Sequence, residues 1–114
     1  MVPDEIRRKR DELAVVAYNY VNWCDDDDLN DENMPGAGPG GDINPFGWYV
    51  VGTTGGGNGV VVRADDPGVF FADHEWCGDG TAEGTRRELI LLAPSIEEFR
   101  RSVDEIDARL DEIG

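Results

Sequence analysis

Histidine occurs once, at His74, and cysteine twice, at Cys24 and Cys77. Two thiols without a CxxC spacing cannot form a four-cysteine zinc site, and in a reducing cytosol they are expected to be free. Lysine also occurs once, and Lys plus Arg number 10 against 25 Asp plus Glu, for a net charge of −15. So few cations exclude a phosphate-binding surface, because nucleic-acid binding needs basic side chains to displace counterions. Basic protein partners stay open. A salt-adapted or GC-rich source would produce the same acid excess without any partner. No apolar run approaches the ~20 residues of a membrane span, and no apolar stretch follows Met1 as in a secretory signal. A cytoplasmic protein is expected. What the chain does have is aromatic: three Trp, four Phe and three Tyr in 114 residues. That suits one folded domain and not a disordered acidic tail.

Fourteen of the 15 Gly lie between Gly36 and Gly84. The flanks therefore read as helical and the middle as strands and turns. Residues 24–84 hold thirteen acids and only one base, Arg63, whereas residues 1–23 are net neutral. The spacing predicts a first helix within residues 1–22, from Pro3 to Tyr20, with Ile6, Leu13, Val16, Ala17 and Tyr20 on one side. Arg7-Arg8-Lys9-Arg10 is offset by Asp11 and Glu12, so it reads as a solvated face. Residues 23–45 read as an acidic Gly/Pro-rich loop, opened by Asp25-Asp26-Asp27-Asp28. A calcium loop on Asp26, Asp28 and Asn30 fails at Asp31, where Gly is needed, and at Ala37, where Glu is needed.

Residues 46–93 read as a sheet. Phe46–Val51, Val60–Arg63 and Val69–Ala72 are β-branched or aromatic runs with short links, which favour antiparallel hairpins. Leu89–Leu92 is either a buried strand or the entry to the last helix. The loop Gly55-Gly56-Gly57-Asn58 lacks the Lys of a phosphate loop and reads as a turn. Residues 95–113 read as one helix with Ser95 and Glu98 as a capping box. Its stripe of Ile96, Phe99, Val103, Ile106 and Leu110 should be buried, with Val61 and Phe70 or Phe71. The expected fold is α+β: a central antiparallel β-sheet flanked by an N-terminal and a C-terminal helix.

Chemistry is sparse. Asp73, His74 and Glu75 could do acid–base work, but neighbours on an extended segment point to opposite faces. Ser95 is a cap and Ser102 lies within the last helix, so no triad assembles around His74. No catalytic residue, metal or cofactor is expected.

Three segments in order carry a resemblance. They are Gly52-Thr53-Thr54-Gly55-Gly56-Gly57-Asn58-Gly59-Val60-Val61-Val62, Gly68-Val69-Phe70-Phe71-Ala72-Asp73-His74-Glu75, and Leu92-Ala93-Pro94-Ser95-Ile96-Glu97-Glu98-Phe99. Together, across residues 46–110, the chain resembles the SUKH immunity-protein superfamily of Smi/Knr type. Residues 1–45 lack that family's Leu-Pro and Asn-Gly-Gly features. The resemblance implies a non-enzymatic α+β domain that binds and neutralises a cognate toxin domain, often a nuclease and hence basic. A regulatory or scaffold domain of the same fold, without a toxin target, is the alternative. Binding is expected where aromatics meet acids: Trp48, Tyr49, Asp65, Asp66, Asp73, Glu75 and Trp76, with a second patch at Trp23 and Asp25, Asp26, Asp27 and Asp28.

Overall fold

The structure, a computed structural model, describes residues 2–75 and 80–113. Helix α1 spans Asp4–Leu13, and a two-residue strand β1, Asn22–Trp23, follows it. Two short helices come next, α2 at Asp26–Glu32 and α3 at Gly40–Ile43, then a 3₁₀ turn at Asn44–Phe46. Strands β2 (Trp48–Thr54), β3 (Asn58–Arg63) and β4 (Asp66–Ala72) form consecutive hairpins. Helix α4 (Ala82–Glu88), strand β5 (Ile90–Ala93) and helices α5 (Ile96–Arg101) and α6 (Val103–Ile113) complete the chain. The five strands run antiparallel in the order β1-β2-β3-β4-β5, so the fold is α+β with helices at both ends. Among the described residues, no helix is long and apolar enough to cross a membrane.

Register sorts the side chains onto two faces. Trp48 pairs with Arg63, and Val50 with Val61 beside Phe70, so these share one face. Gly52 pairs with both Trp23 and Val60, and Val60 with Phe71, which puts that set on the other. Helices α1 and α5 cover the Trp23 face, where Phe99 is wholly buried against Tyr18 and Trp23. Arg86 of α4 lies over Phe70 on the opposite face. With both faces covered, β3 is buried from Asn58 to Val62 without alternation, and Val60–Val62 are consecutive apolar residues.

Several boundaries differ from the sequence reading, each for a local reason. Helix α1 ends at Leu13 and not at Tyr20. Beyond it the chain turns so that Tyr18 can reach Phe99, which leaves Ala17 and Tyr20 exposed. The acidic stretch is not all loop. Asp25 caps α2 by accepting the Asp28 N–H at 2.8 Å, and Asp26, Asp27 and Asp28 fill the first turn, where the helix dipole favours carboxylates. Helix α4 lies within the segment expected to be sheet, capped by Thr81 on the Gly84 N–H. The last helix is two helices. In an unbroken helix the Phe99 carbonyl would take the Val103 N–H, but here it accepts the Tyr18 hydroxyl and the Ser102 N–H. Leu89–Leu92 resolves as a strand, Ile90–Ala93. Phe99, Ile106, Leu110, Val61, Phe70 and Phe71 are buried as expected, while Ile96 and Val103 are half-buried against the core.

Candidate functional site

Trp48 is a core residue, 1% exposed, which corrects its place among the surface aromatics. Its indole packs edge-on to Phe70 at 4.9 Å between ring centroids. The Arg63 and Arg86 guanidiniums each lie 5.9 Å from the Trp48 ring, and Arg86 is 4.4 Å from Phe70. This double cation–π lid explains why an aromatic at the start of a strand is covered. It also involves the neighbouring acids. Arg63 Nε is 2.9 Å from Asp65 Oδ1, and Arg86 Nε is 4.0 Å from Asp66 Oδ2. The carboxylates of the β3–β4 turn therefore have local counter-charges. Lys9 of α1 donates to the Arg63 and Asp66 carbonyls at 2.6 and 2.8 Å, pinning the turn from the other side.

Asp73 and Glu75 lie past the far end of β4, about 20 Å from Asp66 at ~3.3 Å per strand residue. The structure therefore does not bring them together with Asp65 and Asp66. Trp76 lies outside the described residues, as does Cys77. The His74 ring Nδ1 is 2.7 Å from Asn58 Oδ1, which also accepts the His74 backbone N–H at 2.9 Å. His74 thus ties the end of β4 to the β2–β3 hairpin, with Asp73 and Glu75 oxygens 3.9 and 3.8 Å from its two ring nitrogens.

The second patch is different: the fold gathers it. Trp23 is half-buried, its indole N–H donating to the Val16 carbonyl at 3.2 Å and its ring edge-on to Tyr18 and Phe99. Trp23, Cys24, Asp25 and Asp26 share a groove of about 530 Å³ with Arg10 and with Val15, which is 64% exposed. Asp26 sits between Arg10 and Arg7 at 2.7 and 3.1 Å. The Arg10 guanidinium holds its carboxyl below the ordinary Asp value. Burial pushes the Cys24 thiol up to about 12, so it is an inert free thiol. Asp27, Asp28 and Asp31 are exposed on α2 and have no ion-pair partner among the described residues.

A second hollow of about 440 Å³ flanks the other end of α2, lined by Val2, Asn30, Asn33, Met34, Pro35, Asn44 and Tyr49. Met34 is 54% exposed at its rim. Asn33 closes its floor. The Asn33 amide donates to the Val50 and Leu29 carbonyls and accepts the Val50 N–H, all within 2.8–2.9 Å. Tyr49 is thus the one first-patch aromatic among the described residues that meets an open surface. Helix α2 is an acidic ridge between two hollows with apolar rims.

No family model, curated protein or solved structure matches this chain. The site therefore rests on its own geometry. Val15, Asn30, Asp31 and Met34 belong to it and were missed by sequence reasoning. The available signal was Asp25 as a helix cap, with Leu29 and Asn33 four residues apart as the buried side of a short helix.

Proposed function

We propose that this protein is a non-enzymatic, cytoplasmic immunity protein of the SUKH type. It binds a basic toxin domain, a nuclease being the best fit, and blocks it. The observation that carries the reading is the α2 ridge. Among the described residues Asp27, Asp28 and Asp31 have no counter-ion, and the helix that carries them contributes its N-terminal end to the groove of Trp23 and Val15 and its C-terminal end to the hollow of Met34. Acids elsewhere, such as Glu5, Glu12, Asp65, Glu97 and Glu98, face arginines of their own chain. Helix α6 also carries exposed acids, but α2 adds the apolar rims that a binding hot spot needs beside a polar surround. A nuclease groove is basic because its substrate is anionic, so an unpaired acidic ridge is complementary to it. The α+β architecture is the one that the SUKH resemblance implies.

The test is to express whatever protein is encoded next to this gene and, if it is basic, to measure its binding to this chain and the protection that this chain gives against it. Replacing Asp27, Asp28 and Asp31 with Asn should slow association about tenfold at low salt and little at high salt, because steering is screened. The control is Asp104→Asn, Glu105→Gln and Glu112→Gln on α6, which changes net charge equally and should act weakly. Equal effects from both triples would make the charge a general property and remove α2 as the site. A neighbouring protein that is basic but neither toxic nor bound would favour the scaffold reading.

A further inference from the structure

The hollow between Met34 and Tyr49 has features the acidic ridge does not explain. Its walls are Val2, Met34, Pro35 and Tyr49, which are apolar or aromatic. Two of its three amides are already engaged: Asn33 holds the edge of β2, and the Asn44 amide donates to the Asn33 carbonyl. The floor is therefore set by hydrogen bonds within the fold and does not need a ligand to form. Asn30 is the exception: it is exposed, and its side-chain amide has no hydrogen-bond partner among the described residues. Neither Asp27 nor Asp31 lines the hollow, but both are on α2 beside it: Asp27 stands one helical turn before Asn30 on the same side of the helix, and Asp31 follows Asn30 on the adjoining side. At about 440 Å³ the space is at the small end of ligand pockets, enough for one side chain and not for a folded element.

We propose that this hollow is an anchor pocket. It takes a single aromatic or large aliphatic side chain from an extended segment of a partner protein, with Lys or Arg on either side of that anchor. The apolar walls select the anchor, the Asn30 amide meets the segment's backbone, and Asp27 and Asp31 select the flanking cations. A second copy of this chain is a poor occupant, because its charge of −15 would face the same acids. That the partner is a toxin rests on the function proposed above; the chemistry of the pocket does not.

The probes are three pentapeptides, Lys-Lys-Phe-Lys-Lys, Lys-Lys-Gly-Lys-Lys and Glu-Glu-Phe-Glu-Glu, titrated into the full chain with methyl-labelled methionine. The chain has only two Met, so the Met34 methyl is readily assigned. The Phe-containing basic peptide should shift the Met34 methyl and the Asn30 side-chain amide saturably. The Gly peptide should bind about tenfold more weakly, and the acidic peptide should shift neither. Met34→Ser, at an exposed position that leaves folding intact, should reduce affinity for the Phe peptide to that of the Gly peptide. Equal affinity for the Phe and Gly peptides, or no change in Met34→Ser, overturns the pocket. Shifts of the Met34 methyl with protein concentration alone would assign the hollow to a second copy and overturn it too. If the peptide results hold and the neighbouring toxin does not bind, the pocket stands and the toxin reading falls. If the toxin binds with equal affinity to Met34→Ser, the toxin reading stands and the pocket falls.

Discussion

Cys24 and Tyr18 are buried groups whose protons the fold retains. Burial raises the Cys24 thiol from 9.0 to about 12. Burial, and then the charge of Asp107, raises Tyr18 from 10.0 to about 12 while its hydroxyl donates to the Phe99 carbonyl. Both folded values lie above the unfolded ones, so between them the folded state binds more protons and stability falls as pH rises. The contribution is complete below pH 9. It declines first as unfolded Cys24 ionises, then from pH 10 as unfolded Tyr18 does, and it is lost as pH passes about 12. Urea unfolding at pH 8, 9, 10 and 11 should show this decline. Cys24→Ala should flatten the portion between pH 9 and 10 and make the decline above pH 10 shallower, leaving the part due to Tyr18.

At the scale of elements, β2 is longer than the strand beside it. Strand β1 covers only Gly52 and Thr53, and the Cys24 N–H adds one bond to Val51. Past that point the Asn33 side chain replaces a strand, pairing with both backbone groups of Val50. One buried amide thus connects α2 to the sheet and positions the Met34 pocket. Asn33→Ala leaves the Val50 N–H and C=O without partners. Each unsatisfied buried group costs ~1–3 kcal/mol, so a loss of about 3 kcal/mol in urea unfolding is expected. Asn33→Asp keeps an acceptor for the Val50 N–H and should fall between Ala and the parent. A loss below about 1 kcal/mol for Asn33→Ala would mean that water replaces the amide and that α2 is held by Leu29 alone.

For the whole molecule the governing quantity is the net charge of −15. Exposed ion pairs such as those of Arg8 with Glu5 and Glu12, and of Arg101 with Glu97 and Glu98, each contribute ~0–1 kcal/mol and weaken with salt. Repulsion among the unpaired acids acts across the whole surface and is screened by the same salt, over a Debye length that falls from ~30 Å at 0.01 M to ~8 Å at 0.15 M. Many unpaired charges against a few weak pairs means that repulsion dominates. The unfolding midpoint should rise as salt increases from 0.01 to 0.15 M. The Asp27, Asp28 and Asp31 triple variant should show a smaller rise. A midpoint that falls with salt would show that the ion pairs outweigh the repulsion.

The α+β class, the three central hairpin strands and the Ser95 cap were legible because each depends on neighbours in sequence. β-Branched runs, turn residues and a capping box act over a few positions, and the apolar stripe of the last helix marked Phe99, Ile106 and Leu110 for the core. Contacts far apart in the chain decided the rest. Tyr18 reaches Phe99 across 81 positions and breaks the last helix by taking a carbonyl. Arg63 and Arg86 cover Trp48, so an aromatic that looked available to a partner is part of the core. Arg7 and Arg10 partly neutralise Asp26, and Asn33 bonds Val50 across 17 positions, so an acidic stretch read as loop holds a helix. Composition determined that the chain is acidic. Only the tertiary structure decided which acids have counter-ions, because that depends on which arginines the fold brings within reach of them.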